Sequence, residues 1–222
     1  MQIAIDGPAG AGKSTISKFV ATEMGYLYID TGAMYRAIGY KALKNGVNIA
    51  DEEKACELAA NSNIEIKVFD HTQQIFIDGE NVTDKIRTAE VSMAASQVSA
   101  IAGVREILVD LQRKIAGSNN VIMDGRDIGT VVLPDAEIKI FLTASVEDRA
   151  MRRYLEMKEK GQDVNFADVK EDIEKRDYND THRASSPLKA ADDATVIDTS
   201  CKTLGESVQL ILEHINRCAQ GR

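Results

Sequence analysis

GPAGAGKS, from Gly7 to Ser14, comes directly after the short apolar run Gln2 to Ile5 with its Asp6, and directly before a segment with helical spacing. It satisfies the pattern GxxxxGK followed by Ser or Thr. The spacing has a physical reason: glycines let the backbone wind so that successive N–H groups point inward around phosphate oxygens, at the positive end of a helix dipole. Lys13 then reaches β- and γ-phosphates, and the Ser14 hydroxyl can ligate Mg²⁺. With glycine near 7% of residues, a chance match in a chain of this length has odds on the order of 1%. The strand–loop–helix context lowers those odds further, so a plain glycine-rich turn explains the stretch poorly. The loop alone leaves kinase, GTPase switch, ATP-driven motor and nucleotide-binding regulator open. The guanine-reading NKxD motif is absent, and 222 residues are few for a motor with its additional modules.

Outward from the loop, a helix is expected over Lys13–Met24, with Ile16, Phe19 and Val20 on one face. A strand at Leu27–Ile29 follows, and Thr31 is expected to N-cap a helix running to about Asn45. Another helix covers Asp51–Asn61. The pattern then turns to alternation, with Ile64, Ile66 and Val68, a turn at Asp70–Gln73, and Ile75 and Ile77. That is a hairpin inserted among helices. Helical spacing returns at Val91–Val98 and Val104–Leu111, strands at Val121–Met123 and Ile138–Leu142, and helices at about 146–160 and 167–181. A strand at Thr195–Ile197 leads to a last helix with Val208, Ile211, Leu212 and Ile215 on one face. Short buried strands alternating with helices imply an α/β fold, a central parallel sheet with helices on both faces.

The composition, 44% hydrophobic and 28% charged, is that of a globular chain. A net charge of −8 argues against a broad nucleic-acid or membrane-surface binder, yet leaves room for small anions held by clustered arginines. Cys56, Cys201 and Cys218 show no CxxC pairing and read as reduced structural thiols. No run approaches 18 apolar residues, and the N-terminus enters a strand at once, so a cytoplasmic protein is expected.

The arginines then matter. Arg36 lies one turn into the second helix. On the helix of 167–181, Val169 and Ile173 face the core, and the same stripe continues to Arg176, Asp180 and Arg183. Two guanidiniums in a polar cleft want an anion, and phosphate matches their fork geometry; a surface salt-bridge cluster is the competing account. Arg149, Arg152 and Arg153 share a helix face, either a solvated basic surface or a lid that brings arginines to a transferring phosphoryl group. DGRDIGT, from Asp124 to Thr130, puts two carboxylates, a guanidinium and two glycines after a strand, which suits a polar turn, a metal site or part of a substrate pocket. No His-centred constellation is evident. His71 falls in the hairpin turn and His214 on the last helix.

GPAGAGKS, DTGAMYR (30–36), AASQVSAIAGVRE (94–106), DGRDIGTVVLPDA (124–136) and EKRDYNDTHR (174–183) together closely resemble the bacterial cytidylate (CMP) kinases, nucleoside monophosphate kinases of the P-loop class, from residue 3 to about 200. The resemblance implies one P-loop kinase domain over 1–222, a three-layer fold with an inserted NMP-binding lobe. Its core would cover 1–35, 110–145 and 180–222, the lobe with the hairpin about 36–109, and a short lid about 146–165. It implies transfer of the ATP γ-phosphate to CMP or dCMP, with Mg²⁺; a monomer is expected because nothing in the sequence demands more. Gly7, Pro8, Ala9, Gly10, Ala11, Gly12, Lys13, Ser14 and Thr15 would hold ATP, with Arg149 and Arg153 from the lid and Ser14 on the metal. Arg36, Arg126 and Arg183 would hold the CMP phosphate, Thr31, Arg105 and Asp127 read cytosine, and Ser96, Arg176 and Asp180 bind ribose. Lys13, Arg126, Arg183 and Arg153 would act on the transferring group. Related enzymes often have serine where Thr31 stands; the hydroxyl is kept. Asp124 is left between a second-sphere role at Mg²⁺ and a plain turn. Chemistry points the same way: a carboxylate accepts from the cytosine N4 amine and a guanidinium donates to N3 or O2, whereas uracil reverses the polarity at position 4. A kinase for UMP or for another small acceptor remains the alternative, with a switch or sensor as a third.

Overall fold

The structure, a computed structural model, describes residues 1–69, 72–117 and 119–220. In chain order its first half runs β1 (Gln2–Asp6), α1 (Lys13–Met24), β2 (Leu27–Asp30), α2 (Thr31–Lys44), α3 (Glu52–Ala60), β3 (Ile64–Phe69), β4 (Thr72–Ile77) and β5 (Glu80–Asn81). A 3₁₀ turn at Lys85–Arg87 precedes α4 (Ala89–Val98) and α5 (Ala102–Ala116). The second half has β6 (Val121–Gly125), a π-helical turn at Ile128–Val132, β7 (Ile138–Thr143), α6 (Val146–Glu159), α7 (Phe166–His182), β8 (Thr195–Asp198) and α8 (Leu204–Gln220).

The chain divides into two compact units, Met1–Tyr28 with Asn120–Arg222, and Ile29–Asn119. The first is built on a five-stranded sheet of order β2-β6-β1-β7-β8. β1 pairs in parallel with β6 and β7, and β7 with β8. Parallel neighbours need crossover connections, which the helices between the strands supply. β1 and β6 are buried on both faces, which is why they read as apolar runs without alternation. Ile3, Ile5, Ile122, Ile140 and Leu142 from the sheet pack with Ile16 and Val20 of α1 and Ile211 and Ile215 of α8.

The second unit has its own core, in which Met34 and Ile38 of α2 meet Ile75, Ile77, Ile86, Val98, Val104 and Leu108. Its antiparallel hairpin pairs Ile64 with Ile77 and Ile66 with Ile75, the register that keeps the apolar residues on one face. β5 adds a third strand, too short at two residues to show a period. Asp70 and His71 of the expected turn lie outside the described residues, and Thr72 and Gln73 already belong to β4.

The cap expected at Thr31 belongs instead to Asp30, whose Oδ1 accepts the Ala33 N–H at 2.9 Å. Thr31 is already helical and buried. A carboxylate is the better acceptor for first-turn N–H groups at the positive helix end. Asp51 likewise caps α3 and stays outside it. The cysteines are free thiols. No helix among the described residues is long and apolar enough to cross a membrane.

Candidate active site

In the first unit α1 begins at Lys13, so its unsatisfied first-turn N–H groups open onto the glycine-rich loop. The Lys13 side chain is buried and donates to the Pro8 carbonyl at 2.8 Å. Burial holds its pKa well below the usual lysine value; Arg126 and Arg176 add to this, and Asp124 and Asp180 oppose it. An ammonium disfavoured in this way gains from a phosphate more than an exposed one does. Ser14 Oγ donates to Asp124 Oδ2 at 2.8 Å, and the Tyr28 hydroxyl donates to Asp124 Oδ1 at 2.9 Å. Asp124 is therefore a buried strand residue tied to the loop serine, and these are hard oxygen donors of the kind Mg²⁺ prefers.

Arg126 leaves the end of β6 and donates from Nε to Asp180 Oδ2 at 2.7 Å. Burial pushes the Asp180 carboxyl up, but Arg126, Arg176 and Arg183 outweigh it and hold the group below the usual carboxylate range. The Arg183 guanidinium stands 3.7 Å from Asp127 Oδ1, and its Nε donates to the Ser186 carbonyl at 2.7 Å. The stripe of α7 holds as far as Asp180: Val169 and Ile173 are buried apolar residues, and Arg176 and Asp180 continue it, whereas Arg183 stands just beyond the helix in extended backbone and joins the charged cluster from there. Lys13, Ser14, Asp124, Arg126, Asp127, Arg176, Asp180 and Arg183 thus gather in one place beside the loop.

The arginines of α6 do not share a target. Arg149 is buried, with Nη1 donating to the Ala9 carbonyl at 2.9 Å and to Asp177 Oδ2 at 2.6 Å, and Nε donating to the Ala144 carbonyl at 2.9 Å. Asp177 Oδ1 in turn accepts the Ala9 N–H at 3.2 Å, so one residue of the loop is gripped on both sides, through the peptides before and after it. Arg152 donates to the Thr199 carbonyl at 2.6 Å. Arg153 pairs with Glu156 at 3.0 Å, half-exposed.

The second unit holds the other candidates. Asp30 Oδ2 accepts from Arg36 Nη2 at 2.7 Å and lies 3.6 Å from Arg87. Against the upward push of burial, Arg36 and Arg87 keep the Asp30 carboxyl below its usual range. Nε of Arg36 is buried with no hydrogen-bond partner among the described residues, a donor that an anion would satisfy. Arg105 is buried, donates to the Ser99 carbonyl at 3.1 Å, and lies over the Tyr35 ring at 5.5 Å. Thr31 is buried in the first turn of α2, and Ser96 is half-buried on α4. His214 is half-buried on α8, its pKa lowered by burial and by Arg217, with Cys218 Sγ at 3.6 Å. Among the described residues its partners are Cys218 and Arg217, away from the cluster above.

Sequence reading missed Asp6, Asp177, Tyr28, Asp30 and Arg87. Asp177 adjoins Arg176 and Asp30 adjoins Thr31, so only their side-chain directions were lacking; nothing in the sequence singles out Tyr28.

A family model described as "Cytidylate kinase" matches residues 3–217. A cytidylate kinase from Caldicellulosiruptor bescii is 55% identical over 213 residues, covering 96% of this chain and 94% of the relative. One from Lactobacillus johnsonii is 52% identical over 217 residues, covering 98% and 94%. Among solved structures, shikimate kinase from Bacteroides thetaiotaomicron superposes with a TM-score of 0.50 at 14% identity, covering 97% of this chain and 98% of that one. That likeness concerns the fold, a parallel sheet enclosed by helices. With a match over almost its whole length and relatives identical at half their positions, the chain belongs to the cytidylate kinase family.

Proposed function

We propose that this chain transfers the γ-phosphate of ATP to CMP and dCMP, giving CDP or dCDP and ADP. The observation that carries the reading is the cluster on the first unit, where Lys13, Arg126, Arg176 and Arg183 meet Asp127 and Asp180 beside the phosphate loop. A switch or sensor needs the loop but not a second set of phosphate-binding arginines.

The acceptor is itself a phosphate, mostly dianionic near pH 7 because its second pKa is about 6. No general base is required, and the task is in-line positioning with charge neutralisation. Gly7 to Thr15 wrap the ATP phosphates, with Lys13 leaving the Pro8 carbonyl for the β- and γ-oxygens. Ser14 would hold Mg²⁺ directly and Asp124 from the second sphere, and the ion would supply charge neutralisation at the ATP phosphates. Arg36, Arg126 and Arg183 hold the CMP phosphate, Thr31, Arg105 and Asp127 read the cytosine, and Ser96, Arg176 and Asp180 take the ribose. In this reading Arg149 serves ATP through the Ala9 carbonyl it grips. Arg153 sits in an exposed pair worth little, so it is free to turn to the transferring phosphoryl.

The enzyme works as one P-loop kinase domain, with an NMP-binding lobe of about 36–109 and a lid of about 146–165 whose closure excludes water. We place it in the cytoplasm, as a monomer acting on free nucleotides and binding neither nucleic acid nor membrane; the net charge of −8 and the free thiols support this. A coupled ADP-release assay with CMP, dCMP, UMP and AMP tests the proposal. Strong stimulation by the cytidine nucleotides is expected, and none from either would overturn it.

A further inference from the structure

Asp6, the last residue of β1, has no role in the mechanism above, yet it is only 4% exposed and makes two bonds of unusual reach. Its Oδ1 accepts the N–H of Ile128 and its Oδ2 the N–H of Gly129, each at 2.7 Å, across more than 120 residues of chain. These amides directly follow Asp127 and open the π-helical turn Ile128–Val132. The Asp127 carbonyl accepts from Val131 at 2.8 Å and Val132 at 3.2 Å, so the turn fixes one side of that residue and Asp6 the other. Between them they hold Asp127 at φ −148° and ψ 26°, outside any regular element.

Keeping a carboxylate here is costly. Burial pushes the Asp6 pKa up to about 6 even though both amide bonds lower it. Of the charged groups facing it, Asp127 raises that value and Lys13 lowers it. The Lys139 stem packs on Gly129 while its ammonium pairs with Asp193. A neutral amide would avoid the burial cost, but its NH₂ would confront one of the two N–H donors.

We infer that Asp6 is a positioning residue for base selection: through the Ile128 and Gly129 amides it aims Asp127, without touching substrate. Because Asp6 also immediately precedes Gly7, the same side chain ties the geometry of the base reader to the start of the phosphate loop. The inference rests on the reading of Asp127 as the group that accepts from cytosine N4.

The test is the ratio of kcat/KM for CMP to that for UMP in wild type, Asp6→Asn and Asp127→Ala. Effects on ATP binding or on the overall fold act on both substrates alike and cancel in the ratio. Asp127→Ala is expected to lower it at least about tenfold, and Asp6→Asn at least about fivefold. If Asp127→Ala collapses the ratio and Asp6→Asn leaves it within about twofold, the positioning role is overturned and the base reader stands. If Asp127→Ala leaves the ratio unchanged, the base reader fails and the inference fails with it. Should Asp6→Asn not fold, the wild-type ratio from pH 5 to 8 decides. The phosphate titrations of CMP and UMP cancel, so the ratio should fall as pH drops through about 6, where Asp6 gains a proton. A flat profile would overturn the proposal.

Discussion

Replacing Gly7 by alanine tests how the phosphate loop is seated on the sheet. Gly7 leaves β1 at φ +151°, and a Cβ there would lie 1.9 Å from the carbonyl oxygen of Leu142. Ordinary contact begins near 3.4 Å, so something must yield by about 1.5 Å. Leu142 sits in β7, which is paired on both sides by β1 and β8, so the loop is the part that moves. Strained backbone adds about 1–3 kcal/mol, and a displacement of about 1 Å at a phosphate cradle costs about 100-fold in turnover. Gly25 is the control: it is also left-handed, at φ +67°, but nothing lies within 4 Å of its added Cβ. Gly25→Ala should cost about 1–2 kcal/mol of backbone strain, a fall of roughly 2–8 °C in Tm, with activity kept. Gly7→Ala should lose at least about 100-fold in kcat/KM for ATP in the ADP-release assay at saturating CMP. A Gly7→Ala enzyme within about threefold of wild type would refute the reasoning, because the loop would then have absorbed the clash without leaving its catalytic geometry.

Arg149→Lys keeps the charge but loses the fork that reaches Ala9, Ala144 and Asp177, so KM for ATP should rise about tenfold. An unchanged KM in an ATP titration would remove Arg149 from loop positioning. Asp180→Ala leaves the buried Arg126 guanidinium without its carboxylate and should destabilise the protein by about 3–5 kcal/mol in denaturant unfolding. Added inorganic phosphate should raise the Tm of that variant more than that of wild type, since the freed guanidinium gains an anion without needing the ribose contact of Asp180. Stability against pH carries a signature of Asp6. Its folded pKa of about 6 lies above the ordinary 3.8, so its stabilising contribution is full below the ordinary value and is lost as pH rises through about 6. Wild type should therefore lose roughly 2–3 kcal/mol relative to Asp6→Asn between pH 4 and pH 7.5, and parallel stability curves for the two proteins would contradict it.

How much of this was legible depended on whether a residue's partner is near it in sequence. The loop announces itself because its glycines, lysine and serine fall within eight successive residues, and the parallel sheet because β1 and β6 are short contiguous apolar runs. The charged stripe of Arg176 and Asp180 is readable because helical spacing is local, while Arg183 reaches the same cluster from one residue past the helix end. The bonds from Asp6 to Ile128 and Gly129 are not readable, because they exist only once β1 and β6 lie side by side with Asp6 opposite Gly125. The Arg149 grip on Ala9 is hidden for the same reason. Helical spacing puts Arg149, Arg152 and Arg153 on one face, but what each guanidinium meets is decided by the loop, by Thr199 and by Glu156 in turn. The cap at Asp30 was lost to a one-residue ambiguity between two good cap formers, within the ordinary uncertainty of helix ends.

The electrostatics of the first unit explain how an acidic chain can serve an anionic substrate. Three of the buried guanidiniums beside the loop already have a carboxylate: Arg126 has Asp180, Arg183 has Asp127 nearby, and Arg149 has Asp177. Without these partners, buried guanidiniums would carry an uncompensated desolvation cost of several kcal/mol each. Lys13 differs: burial holds its pKa down, Arg126 and Arg176 deepen this, and Asp124 and Asp180 offset it only in part. On the proposed reading, a phosphate arriving here would relieve Lys13 directly and give the arginines a second acceptor in a geometry already fixed. Little reorganisation then remains for the moment of transfer, which is the condition under which fixed charges lower a barrier most. The same pairing makes a testable asymmetry. Protonating Asp180 takes away the partner of Arg126, so acid should weaken the fold as pH falls from the ordinary carboxylate range towards the lowered value of Asp180. Bound CMP should blunt that loss, because its phosphate would take the place of the carboxylate at the guanidinium.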